Sequence, residues 1–169
     1  MKNLYLLRHA KSSWQDSTLP DLERPLNKRG KRDAARMGKF LGARLAPLKF
    51  HVSPAKRAQH TFIGIAKFWE GLKKNHCVTT TDLYTFSVRE LLDWIARQPP
   101  DIQDLALIGH NPALTDLVNF LVGSKTIDNL PTGGWIELIV SIQYWSTIES
   151  ASGKGSLTCV LMPRELPNG

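Results

Sequence analysis

A chain of 169 residues with 42% hydrophobic and 22% charged residues has the size of a single domain, 1–169, with a genuine core, and its composition excludes disorder and fibrous architecture. The formal net charge is +7 and it is unevenly placed: residues 24–57 hold eleven of the 22 Lys and Arg against one acid, Asp33, and carry +10, leaving −3 on the rest. Such a sector either meets an anionic partner or is a solvated helix face, and the solvated face accounts for most of these residues.

The chain opens with four apolar residues, Leu4-Tyr5-Leu6-Leu7, before Arg8 interrupts them. That is too short for a signal-peptide core or a membrane span, so the expectation is a soluble, cytoplasmic protein with no membrane partner. Residues 3–7 read as a buried strand. Residues 10–27 are polar, with Ser, Asp and Pro throughout, and predict a long functional loop. From Lys28 to about Leu45, the residues Ala34, Met37, Gly38, Leu41 and Leu45 fall on one helical stripe with Arg and Lys opposite. Residues 48–52 predict a second strand. Ser53-Pro54 then reads as an N-cap with proline at the first helical position, opening a helix to about Trp69.

Residues 77–81 predict a strand, residues 88–96 a short helix, and residues 104–108 another buried strand. Asn111-Pro112 repeats the cap-plus-proline signal ahead of Leu114, Leu117, Val118 and Leu121. After Pro131-Thr132-Gly133-Gly134, two β-rich runs, 135–144 and 156–162, read as paired closing strands, and residues 163–169 as a tail either frayed or packed on the surface. Strands alternating with helices predict an α/β sandwich around a mainly parallel sheet. Cys77 and Cys159 have no close spacing and read as ordinary buried thiols.

Three positions align with strand ends. Arg8-His9 follows the first strand, Arg57 lies in the first turn after the second, and His110 follows the strand ending at Ile108. In an open α/β sheet, ligands gather at the carboxyl ends of the strands. Two guanidiniums and two imidazoles converging there fit a phosphoryl group, held by Arg forks and passed to a nitrogen nucleophile. No carboxylate cluster offers Mg²⁺ a site, and two histidines fall short of a zinc set, so no metal and no cofactor are expected. His51, His60 and His76 share no ligand spacing and read as structural.

The segments Leu7-Arg8-His9-Ala10-Lys11-Ser12, Arg24-Pro25-Leu26-Asn27-Lys28-Arg29-Gly30, Val52-Ser53-Pro54-Ala55-Lys56-Arg57-Ala58 with Thr61, and Ile108-Gly109-His110-Asn111-Pro112 resemble the histidine phosphatase superfamily, in the family's order. The short length, the Arg-Pro-Leu segment and Gly-His-Asn-Pro look most like its SixA subgroup of phosphohistidine phosphatases. The resemblance implies a three-layer α/β/α sandwich like that of the phosphoglycerate mutases, with His9 as the phosphorylated nucleophile and Arg8, Arg57 and His110 completing the phosphate pocket. Lys11 and Arg24 are candidate substrate contacts at the entrance, although Lys11 in a loop is equally a solvated residue and Arg24 equally a structural one. Larger relatives place a Glu proton donor in a segment this chain lacks; Asp82 and Glu90 are the nearest candidates here, Asp82 the first.

The function implied is metal-independent removal of phosphate from phosphohistidine in proteins. Two alternatives stay open: a phosphomonoesterase for small phosphorylated metabolites, and a non-catalytic module binding phosphate or nucleic acid. The chain has no nucleic-acid-binding motif and no basic stretch interleaved with aromatics, so nucleic acid is not an expected partner.

Overall fold

The computed structural model describes residues 1–167. Six strands form one sheet: β1 (Lys2–Arg8), β2 (Phe50–Val52), β3 (Cys77–Thr79), β4 (Asp104–Gly109), β5 (Trp135–Val140) and β6 (Gly155–Leu161), in the order β3-β2-β4-β1-β5-β6. The first four in that order run parallel; β5 runs antiparallel to β1, and β6, at the edge, runs antiparallel to β5. Between them come α1 (Lys28–Gly42), α2 (Lys56–Ala66), α3 (Val88–Ala96) and α4 (Ala113–Val122).

The side-chain alternation of β4 shows how the layers arise. Leu105 and Leu107 point to the side covered by α3 and α4, with Leu91, Ile95, Leu117 and Val118. Ala106 and Ile108 point to the other side, where α1 and α2 supply Met37, Leu41, Phe62 and Ile65. Both faces are covered, and the result is a three-layer α/β/α sandwich. Close approach of α1 and α2 depends on Gly38, where a Cβ would lie 2.3 Å from the Ile65 carbonyl oxygen.

Several local expectations are corrected. Ser53 does not cap α2: the helix begins at Lys56 with Ala55 in the cap position, and the Ser53 hydroxyl turns inward. The cap position of α4 is Pro112, while the Asn111 side chain accepts from the Thr115 N–H at 3.2 Å. Helix α1 stops at Gly42, α2 stops at Ala66, and β5 ends at Val140, with a 3-10 helix at Trp145–Ser150 beyond it. Strand β2 starts at Phe50 and β3 ends at Thr79.

The tail is packed. Pro163 and Leu166 are buried, and Arg36 of α1 donates to the Leu166 and Pro167 carbonyls; residues 168–169 lie outside the described ones. Cys77 and Cys159 are half-buried free thiols on the two edge strands of the sheet. No helix among the described residues is long and apolar enough to cross a membrane.

Candidate active site

Parallel pairing decides where the chemistry gathers. Arg8 sits opposite Gly109 and Val52 opposite Ile108, so the chain leaves β1, β2 and β4 at one level with His9, Ser53 and His110. Backbone bonds fix this edge: His9 N–H donates to Gly109 O at 3.1 Å, and Ser53 N–H to Ile108 O at 3.0 Å. Gly133 (φ 75°) and Gly134 wrap the other side, Gly133 N–H donating to both the Arg8 and His9 carbonyls. A left-handed backbone at Gly133 favours glycine, because any Cβ there is strained.

The geometry around His9 selects its tautomer. Its Nδ1 lies 2.8 Å from the Ala10 carbonyl oxygen, which can only accept, so Nδ1 carries the hydrogen. Nε2 therefore presents a lone pair, toward which Arg57 Nε–H is directed at 3.4 Å. The Ala10 peptide is itself anchored: its N–H donates to Thr61 Oγ1 at 2.9 Å, and the Thr61 hydroxyl donates to the Arg57 carbonyl at 2.7 Å. One buried threonine thus ties the histidine's backbone to the helix that carries Arg57.

His110 stacks at a tilt against His9, ring centroids 5.2 Å apart. Arg57 Nη2 points to its Nδ1 at 3.4 Å, and its Nε2 meets the Ser53 hydroxyl at 2.7 Å. Burial first, then the Arg57, Arg8 and Arg24 cations, lowers the His9 pKa to about 4. Burial, then His9 and Arg57, lowers that of His110 to about 3. Both rings are neutral near pH 7.

The third cationic side chain, Arg8, donates from Nη1 to the Leu130 carbonyl at 2.8 Å, a carbonyl that also accepts from Asn111 Nδ2. Arg8 Nε and Arg24 Nη1 are buried donors with no acceptor among the described residues. Unmet cationic donors beside two neutral imidazoles make a receptor for an oxyanion. Among the described residues, no group of three or more His, Cys, Asp or Glu could hold a metal ion.

A carboxylate that the sequence reading did not single out holds the entrance. Asp21 sits in a one-turn 3-10 helix, Asp21–Glu23, inside the 10–27 loop. Its carboxylate accepts from Arg57 Nη2 at 2.9 Å, Arg24 Nη2 at 2.7 Å and the Tyr84 hydroxyl at 2.6 Å, and its carbonyl accepts from Arg57 Nη1 at 2.7 Å. Burial acts to raise its pKa, but the bonds from Tyr84, Arg57 and Arg24 win and hold it below the usual carboxylate range. The same bond pushes the Tyr84 hydroxyl up. The Asp-Leu-Glu-Arg spacing, which allows Asp21 to meet Arg24 across one turn, was the available signal for Asp21; none pointed to Tyr84.

The structure brings together Arg8, His9, Arg24, Arg57 and His110. Lys11 contributes its backbone, whose carbonyl accepts from the Asn27 N–H at 3.0 Å and so folds the loop back on itself. Asp82 is not brought to the pocket: its carboxylate is exposed and paired with Arg97 at 2.5 Å, because the turn Thr81–Leu83 points it along α3. Glu90 is spent on the Thr85 hydroxyl. His51 packs on Trp94, and the His76 ring accepts from Lys73 N–H.

Solved structures share this architecture across nearly the whole chain. A SixA structure from Nakamurella multipartitia has a TM-score of 0.78 at 23% identity, with 96% of each chain covered. A SixA complexed with tungstate has a TM-score of 0.77 at 18% identity, covering 96% of this chain and 97% of the other. An uncharacterized chloroplastic protein of Arabidopsis thaliana is 29% identical over 132 residues, 73% of this chain, and the chain spans 61% of that relative's length. The family model of the histidine phosphatase superfamily, branch 1, matches residues 4–103, a stretch holding Arg8, His9, Arg24 and Arg57. By that match the chain belongs to the histidine phosphatase superfamily.

Proposed function

We propose that this protein is a metal-independent phosphatase that carries the phosphoryl group on His9 and acts on phosphohistidine in proteins. The observation that carries this reading is the state of His9 Nε2: a neutral ring, its hydrogen fixed on the far nitrogen, its lone pair held among arginine donors.

In the first step the Nε2 lone pair attacks phosphorus in line. The bond to the leaving group breaks with its electron pair on the leaving atom, while Arg8, Arg57 and Arg24 hold the phosphoryl oxygens, so catalysis is chiefly positioning and charge stabilisation. His110 joins them when the arriving dianion favours a proton on its Nδ1. In the second step water attacks the phosphohistidine, the P–N bond breaks, and its electron pair returns to Nε2. Asp21, ionised and one guanidinium away from Nε2, orients the attacking water as a hydrogen-bond acceptor, and both of the water's protons leave on the released phosphate.

The substrate class follows from what the pocket offers its leaving group. Asp21, the carboxyl that lies on Arg57 at the mouth, is held ionised, a poor acid for protonating an alkoxide. A phosphoramidate such as phosphohistidine departs with less help than an alkyl ester.

The test is incubation with a ³²P-phosphohistidine protein in EDTA, beside His9→Ala. Phosphate release with transient acid-labile label on the wild type, both absent in the variant, is the expected result. Turnover that survives His9→Ala refutes the intermediate. A higher kcat/KM on small sugar phosphates than on the phosphohistidine protein would transfer the assignment to a metabolite phosphomonoesterase, and absence of turnover on either to a binding module.

A further inference from the structure

The mouth of the pocket carries aromatic surface that phosphate chemistry does not use. Phe86 is 47% exposed, and its ring centroid lies 5.5 Å from that of His110. Tyr84 stands edge-on to both, 5.5 Å from His110 and 5.7 Å from Phe86. On the other flank Trp14, 70% exposed, covers the Arg24 guanidinium at 3.5 Å. A continuous chain of contacts therefore rings the entrance, from Trp14 through Arg24, Asp21 and Tyr84 to Phe86 and His110.

A single exposed aromatic needs no explanation. Here two large rings are left partly bare where each already rests on a residue of the anion site, one on a cation and one on an imidazole. In-line attack from His9 Nε2 sends the leaving group to the side of phosphorus opposite His9, toward the open mouth where these rings stand. A planar leaving group arriving there stacks offset or edge-on against Phe86, with an effect on binding of roughly two- to tenfold.

We infer that Phe86 and Trp14 are specificity-determining residues, forming an aromatic wall that selects phosphoryl donors with a planar, ring-bearing leaving group such as the imidazole of phosphohistidine. This rests on the reading of His9 as nucleophile. The wall makes no covalent contact: the P–N bond breaks with its electron pair on the imidazole nitrogen, which takes a proton from water, and the phosphoryl group passes to His9 Nε2.

Phosphoimidazole and phosphoramidate share the P–N bond and differ in the ring, so their kcat/KM ratio isolates the wall. Phe86→Ala and Phe86→Leu should each lower kcat/KM for phosphoimidazole about fivefold more than for phosphoramidate, mainly through KM, while Phe86→Tyr keeps the wild-type ratio. Trp14→Ala should shift the ratio in the same direction. Equal losses on both donors in the Phe86 variants would overturn the inference. A second readout is independent of turnover: binding of phenyl phosphate against methyl phosphate to His9→Ala. A preference for phenyl phosphate that vanishes when Phe86→Leu is added supports the wall, and equal affinities refute it. If the wild type hydrolyses neither donor while the phenyl preference persists, the hydrolase reading fails and the aromatic subsite stands.

Discussion

Asp21 and Arg57 are joined twice, carboxylate to Nη2 at 2.9 Å and carbonyl to Nη1 at 2.7 Å, so the loop's own carboxylate lies on the guanidinium that also faces His9 and His110. An incoming phosphate shares those donors with an anion already in place. Asp21→Asn removes that competition and should tighten inhibition by inorganic phosphate or tungstate by roughly fivefold, with kcat for the second step falling. Inhibition constants and single-turnover rates measure the two effects; weaker tungstate binding in the variant would mean that Asp21 chiefly organises Arg57.

The depressed histidine pKa values make a prediction about pH. His9 attacks only when neutral, so the acid limb of kcat/KM should fall near pH 4 and not near the ordinary histidine value of about 6.5. The same groups act on stability. Unfolded histidines take up protons near pH 6.5, whereas His9 and His110 resist until about 4 and about 3. Between those limits the unfolded chain binds more protons, so the stabilisation present above pH 6.5 is lost progressively as pH falls toward 4. Thermal melting from pH 7 to 4 should show this decline, and His9→Gln should flatten it.

Ser53 is fully buried and meets His110 Nε2 at 2.7 Å. Ser53→Ala leaves that ring nitrogen without its partner, a loss of about 1–3 kcal/mol. It also frees the His110 tautomer, so phosphate affinity should weaken and its pH dependence shift, while Ser53→Thr restores the bond. Chemical denaturation and phosphate titrations across pH check both effects; an unchanged phosphate profile would reduce Ser53 to a packing residue.

Thr61 accepts from Ala10 N–H and donates to the Arg57 carbonyl. In Thr61→Val the Ala10 N–H is buried without an acceptor, costing about 1–3 kcal/mol, and the carbonyl that fixes His9 Nδ1 is released. The expected result is a lower kcat with KM little changed, recovered by Thr61→Ser. Equal activity in the valine variant would show that the Ala10 peptide needs no such anchor.

Gly30 holds the loop to α1. A Cβ there would lie 2.2 Å from the Lys11 carbonyl oxygen, a backbone atom that cannot swing aside. Gly30→Ala should push the 10–27 loop outward, destabilise the fold by about 1–3 kcal/mol and lower kcat/KM. Arg24 and Asp21 travel on the same loop, so partial loss of tungstate affinity should accompany it.

How legible this protein was differs by element. The strand and helix of residues 104–122 were readable because continuous apolar residues precede a helical stripe, and α3 was readable to its ends at Val88 and Ala96. One error came from a local signal that a tertiary contact overrode. Ser53-Pro54 has the composition of a helix start, yet a buried His110 claims its hydroxyl. The tail, read as either frayed or packed on the surface, is packed: Leu166 is buried and Arg36 of α1 holds its carbonyl.

By itself the sequence determined the alternation of strands and helices, the placement of Arg8-His9, Arg57 and His110 at strand ends, and the charge that gathers on residues 24–57. These follow from periodicity and local order along the chain. Only the tertiary structure decided which carboxylate stands at the mouth, which nitrogen of His9 is free, and which aromatic rings line the entrance. Each depends on residues far apart in sequence, Asp21 with Arg57 and Tyr84, Thr61 with Ala10, Phe86 with His110. Side-chain hydrogen bonds and ring contacts act over a few ångströms of space, and no spacing along the chain records them until the sheet has closed.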